Sequence, residues 1–115
     1  MTPRDRDSLA RIVDCIEAVK SYVERAGIAW ALDDMAVDAI AKRIEEIGEV
    51  ARRLTPETLA AMPEINWRAV KGIREVIALD YDTIDVDLLA NIVRDNLPEL
   101  YAATDEALAA ADRSG

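Results

Sequence analysis

The chain has 115 residues, 51% of them hydrophobic, and 23 acids against 14 bases leave it a net charge of −9. That length holds one domain with a modest core, over residues 1–115, and so apolar a composition excludes disorder. The acidic balance argues against generic affinity for DNA or anionic membranes. Four glycines, four prolines and no phenylalanine leave little material for a loop-rich or many-stranded fold, so the composition reads as helices. With no histidine and a single cysteine, a zinc site is excluded, and no metal or cofactor is expected.

From Arg4 to Ala26, Leu9, Ile12, Val13, Ile16, Val19 and Val23 recur at helical spacing, and Cys15 shares their stripe as a small buried hydrophobe. Asp5 or Asp7 is the expected cap, and Gly27 the stop. A connector carrying Trp30, a core lid or an interface residue, leads to the capping pair Asp33-Asp34. The second helix follows with Val37, Ile40, Ile44, Ile47, Ala51 and Leu54. Gly48 interrupts it, at a cost of about 1 kcal/mol against alanine, which makes sense if another helix crosses closely there.

Thr55-Pro56-Glu57 starts a short helical turn that Pro63 ends. Asn66 caps a third helix with Trp67, Val70, Ile73 and Ile77 on one face, fraying near Leu79 to Tyr81, where Asp80, Asp82 and Thr83 are poor helix formers. Asp85 caps a fourth, carrying Leu88, Leu89, Ile92, Val93 and Leu97, with a kink or break at Pro98. The last helix runs from about Glu99 to near Ala111, and Asp112 to Gly115 should fray. The expected fold is all-α, an antiparallel bundle of four to five helices. The N-terminus lacks a signal peptide's apolar core and no apolar run reaches membrane-spanning length, which places the chain in the cytoplasm.

Charge is unevenly distributed. Between Lys42 and Arg74 seven bases outnumber five acids, so this stretch carries +2 and the remainder −11. A locally basic centre inside an acidic shell suits a phosphate without making a general nucleic-acid binder. Glu45, Glu46 and Glu49 could suggest a carboxylate cluster, but Lys42 and Arg53 lie within a turn and offer ordinary ion pairs, so a solvated charged face is the better reading.

The run Trp67-Arg68-Ala69-Val70-Lys71-Gly72-Ile73-Arg74-Glu75-Val76-Ile77-Ala78-Leu79-Asp80-Tyr81 resembles the signature region of HEPN proteins, specifically HepT-like toxins. There an arginine and a polar residue precede, after a short apolar spacer, histidine, any residue and tyrosine. Arg43 to Ala51 resembles the second signature of that family, and Ile84-Asp85 through Leu97-Pro98-Glu99-Leu100 its closing helix.

The resemblance implies a metal-independent endoribonuclease toxin of a type VII toxin–antitoxin system. Its partners would be RNA, a second copy in a homodimer, and a minimal nucleotidyltransferase antitoxin. It also implies roles: Arg74 clamps the scissile phosphate, Glu75 is the polar neighbour, and Tyr81 is the tyrosine that the antitoxin modifies with AMP. Where the family has histidine, this chain has Leu79. Leucine has no titratable proton, so the chain as written is expected not to cleave. Either a deliberate substitution silences a toxic protein or the chain is a naturally degenerate member; the retained Asp80 and Tyr81 fit one targeted change better than drift. The alternative function is a non-catalytic helical subunit that docks a nucleotidyltransferase.

Overall fold

In the computed structural model, which describes residues 1–80 and 83–114, Thr2 opens the first helix. Its Oγ1 accepts the Asp5 backbone N–H at 3.0 Å, and Pro3, with no N–H to leave unpaired, takes the first position. This helix, α1, runs Pro3–Ala26 and stops where Gly27 turns to φ 86°, a conformation that side chains disfavour.

The expected caps Asp5 and Asp7 do not cap, because Thr2 lies one turn earlier. Asp5 instead turns inward. Its carboxylate accepts the Thr55 N–H at 3.2 Å and the hydroxyls of Thr55 and Thr58, both at 2.5 Å. Burial pushes the carboxyl up, but these hydrogen bonds outweigh it and hold the group below the ordinary carboxylate value. The start of α1 is thereby tied to the chain 50 residues on.

A 3₁₀ turn, Trp30–Leu32, lays Trp30 partly buried against the core as a lid. Asp33 then caps α2, Asp34–Ala51, by accepting from Met35 and Ala36 N–H at 3.0 and 3.2 Å. The apolar stripes of α1 and α2 meet as their spacing requires: Leu9, Ile12, Ile16 and Val19 are buried with Val37, Ile40, Ile44 and Ile47. Cys15 lies fully buried among them, and desolvation pushes its thiol up.

Beyond α2 come α3, Pro56–Ala60; α4, Trp67–Lys71; and α5, Ile73–Ile77. Asn66 caps α4 as expected, accepting from Ala69 N–H at 3.1 Å. The single third helix expected from the sequence is instead two pieces. Gly72, at φ −97° and ψ 13°, separates α4 from α5, and α5 stops at Ile77, short of Leu79. Gly48 explains why the break sits there: a Cβ on it would lie 2.9 Å from Ile73 Cγ2 and 2.9 Å from the Val70 carbonyl. The close crossing expected at Gly48 is made by α4 and α5.

Asp85 caps α6, Val86–Asn91, through Leu88 N–H at 3.0 Å. Of the kink or break expected at Pro98, the break does not occur. A π turn, Ile92–Asn96, precedes α7, Leu97–Ser114, and the Leu97 N–H reaches back to the Ile92 carbonyl. The wider turn comes just before proline interrupts the hydrogen-bond ladder, so the chain continues helically. Nor does the C-terminus fray at Asp112: α7 includes it, and it forms an ion pair with Arg6 of α1. The result is an all-α bundle, with no helix among the described residues long and apolar enough to cross a membrane.

Candidate active site

The α4–α5 segment has three sides. Trp67 and Ile77 are buried and anchor its two ends in the core, so Trp67 is a packing residue. Ala69, Ile73 and Val76 face a cavity of about 300 Å³ that α6, the π turn and α7 close from the other side through Leu88, Ile92 and Leu97. Arg68, Lys71 and Arg74 follow one another at three-residue steps along the remaining flank. Arg52, at the end of α2, donates from Nε to the Lys71 carbonyl at 3.2 Å and brings a fourth cation to that flank.

Arg74 and Glu75 are both exposed on α5, and Arg74 forms no ion pair among the described residues. Val76 beside them is half exposed.

After Ile77 the chain reverses. Ala78 is extended and bridges to Ile84, Leu79 N–H donates to the Thr83 carbonyl at 2.8 Å, and Asp85 N–H donates to the Ile77 carbonyl at 2.7 Å. The reversal supplies partners for backbone groups that a fraying helix would leave to water. It also lifts Leu79 out of the bundle, where its side chain is 63% exposed. Tyr81, the expected modification site, lies outside the described residues. Arg74, Glu75 and Leu79 therefore share one exposed helix end and the turn that follows it.

The carboxylates of α2 behave as a charged face. Glu46 accepts from Arg11 of α1 and lies 3.6 Å from Arg43 Nη1, and the hydrogen bond from Arg11 holds its carboxyl below the ordinary range. Its partners are thus Arg11, which lies on another helix and is invisible to i,i+4 spacing, and Arg43 one turn before it. The pairs that spacing offered Glu45 and Glu49, with Lys42 and Arg53, do not form among the described residues. No group of three or more potential metal ligands forms among the described residues. Sequence reasoning missed the convergence of Arg52 with Lys71, although the local excess of bases was its signal.

The helices form an all-α bundle consistent with the HEPN-like class. Comparison with known proteins narrows the class. The profile of the family Ribonuclease HepT-like matches residues 12–107. A probable ribonuclease HepT from Thermococcus cleftensis is 26% identical over 83% of this chain and 87% of its own length. A putative RNase from Methanocaldococcus jannaschii is 29% identical over 83% of this chain and 91% of its own. A gamma-glutamylcyclotransferase and putative RNase from the same organism is 26% identical over 80% of this chain, but the match spans only 42% of that longer protein. No solved structure matches significantly. The chain belongs to the HepT-like ribonuclease family.

Proposed function

We propose that this protein is the toxin half of a type VII toxin–antitoxin pair, a metal-independent endoribonuclease whose cleavage step is disabled by Leu79. The observation that carries the reading is the setting of Leu79: a large apolar side chain left 63% in water on the turn after α5. It adds little to the core, so a histidine fits there without repacking, and an imidazole so exposed keeps a pKa near neutral. In the active form the RNA 2′-oxygen gives its proton to the imidazole and attacks the adjacent phosphorus, and the P–O5′ bond breaks to leave a 2′,3′-cyclic phosphate. The imidazolium protonates the departing 5′-oxygen, and the Arg74 guanidinium stabilises charge on the phosphate oxygens. Glu75 is the polar neighbour of that arginine, and Tyr81 is the residue the nucleotidyltransferase antitoxin modifies with AMP. The protein works in the cytoplasm as a homodimer, a reading supported by the half-exposed Val76 beside the apolar cavity of about 300 Å³. A light-scattering mass equal to one chain removes the dimer.

A second reading, a non-catalytic subunit docking a nucleotidyltransferase, draws on the same apolar cavity. The deciding experiment induces Leu79→His and the sequence as given side by side, scoring growth arrest and RNA cleavage. Cleavage by the histidine form alone is expected. Equal behaviour with no cleavage hands the function to the second reading.

A further inference from the structure

The ion-paired arginines of this protein lie away from the α4–α5 flank. Arg6, Arg11, Arg43, Arg94 and Arg113 each meet a carboxylate. Arg52, Arg68 and Lys71 meet none among the described residues, and Arg52 spends its Nε–H on the Lys71 carbonyl. Two acids are close in sequence, Glu49 one turn before Arg52 and Glu75 one turn after Lys71, and neither forms an ion pair with these bases. Other bases also lack an ion pair among the described residues (Arg4, Lys20, Arg25, Lys42 and Arg53). Arg52, Arg68 and Lys71, however, are brought together on one flank, with Arg52 and Arg68 exposed and Lys71 half-buried. On a chain of net charge −9 they are free to take an external anion.

The line has a length and a direction. Arg68 to Arg74 covers six residue steps across the break at Gly72, and it ends at the arginine assigned to the scissile phosphate. We propose that Arg52, Arg68 and Lys71 form a track for the phosphates of single-stranded RNA flanking the cut site, feeding the strand onto Arg74. This rests on the ribonuclease reading for its end point but not for its binding step. The strand is single because the rest of the surface is acidic: a duplex would press its second backbone against repelling charge, whereas one strand can follow the flank. The three are positioning residues and take no part in the proton transfers.

The chain as given, which should not cut, allows binding to be read apart from cleavage. The probe is a fluorescein-labelled single-stranded oligouridylate followed by anisotropy through a salt titration. Neutralising the track (Arg52→Gln, Arg68→Gln and Lys71→Gln together) should weaken binding at low salt about tenfold or more. It should also flatten the log–log salt slope by about 2, at about 0.7 per phosphate contact. Neutralising three bases of α1 (Arg4→Gln, Lys20→Gln, Arg25→Gln) removes the same charge elsewhere and should change binding less than about twofold. If the first set fails to fold, Arg68→Gln with Lys71→Gln breaks no described hydrogen bond and answers the same question.

Equal losses from both sets, or an RNA duplex bound as tightly as the single strand, overturns the track. The two proposals can fail separately. Cleavage by Leu79→His that ignores the neutralised flank keeps the ribonuclease and removes the track. Flank-dependent binding with no cleavage by Leu79→His does the reverse.

Discussion

The α1–α2 pair consists of two uninterrupted helices of 24 and 18 residues, each opened by a side-chain cap. From α4 to the π turn, by contrast, no described helix exceeds six residues, and the chain passes through a glycine break, a tight reversal and a π turn. The first region pairs two apolar stripes. Its buried positions recur at helical spacing and its polar groups find partners. The second also carries the exposed candidate residues Arg74 and Leu79, and a straight helix would not leave Leu79 on a turn in solvent. The difference teaches that irregular backbone here coincides with candidate chemistry, as expected where local preference yields to function.

The largest expected effect lies in the irregular half. Leu79→His should raise RNA cleavage by roughly 10² to 10⁴, the usual contribution of a positioned acid–base group. Adding Arg74→Ala to that variant should remove about 10² to 10³ of the gain, as losing a charge-stabilising donor does. The measurement is single-turnover cleavage of a labelled RNA. A gain that survives Arg74→Ala breaks the link between the arginine and the chemistry.

In the regular half the largest effect should come from Asp5. Asp5→Ala leaves the Thr55 N–H and the two threonine hydroxyls without their acceptor, at roughly 1–3 kcal/mol for a buried group left unsatisfied, or about 2–4 in all. Urea melts measure it. The same residue sets an acid limit. Its carboxyl sits below the unfolded value, so its contribution is complete above that value and is lost as pH falls through the folded one. Wild type should therefore lose more stability than Asp5→Asn on going from neutral pH to about pH 3. Equal losses would place the acid-sensitive group elsewhere.

Gly48 joins the two regions, so its substitution tests their contact. Alanine should gain about 1 kcal/mol in helix propensity. Against that, its Cβ would lie 2.9 Å from the Val70 carbonyl, a backbone atom that cannot swing aside. Overpacking typically costs about 1–3 kcal/mol, so a net loss of about 1 kcal/mol is expected. In the Leu79→His background the same change should lower cleavage through displacement of α4 and α5. Unchanged stability and cleavage would mean that the crossing is looser than its distances.

Much of this was legible in the sequence, for physical reasons that also mark where legibility stops. Asp33, Asn66 and Asp85 cap because their side chains reach amides two or three residues on, an interaction wholly local in sequence. Gly48 announced a close crossing because a mid-helix glycine is costly without one. Asp5 looks like a cap in the sequence because its true partners, Thr55 and Thr58, lie some 50 residues away. The break at Gly72 and the reversal after Ile77 look like one fraying helix in the sequence, since Val70, Ile73 and Ile77 keep a helical period across the break. Pro98 predicts a kink or a break, and the π turn that carries the helix across it has no local signature. At the site, Arg74, Glu75 and Leu79 came from a motif resemblance, while the approach of Arg52 to Lys71 needed the fold.

The smallest effect asks whether the contrast between the halves is energetic as well as geometric. Ile12 in α1 and Ile77 in α5 are equally inaccessible, at 0% and 1% exposure, so a cysteine at either reacts only when its region opens. In a Cys15→Ala background, which removes the native thiol, Ile12→Cys and Ile77→Cys make the same large-to-small change in the two regions. Ile12 sits within 24 residues of continuous helix, whereas α5 has five residues, a glycine break on one side and a reversal on the other. Opening α5 disturbs fewer contacts, so labelling at position 77 should be about tenfold faster, equivalent to about 1.4 kcal/mol less opening free energy. Equal rates would mean that the bundle opens as one unit, and the irregular half would then owe its shape to placing Arg74 and Leu79 without any loosening of the structure around them.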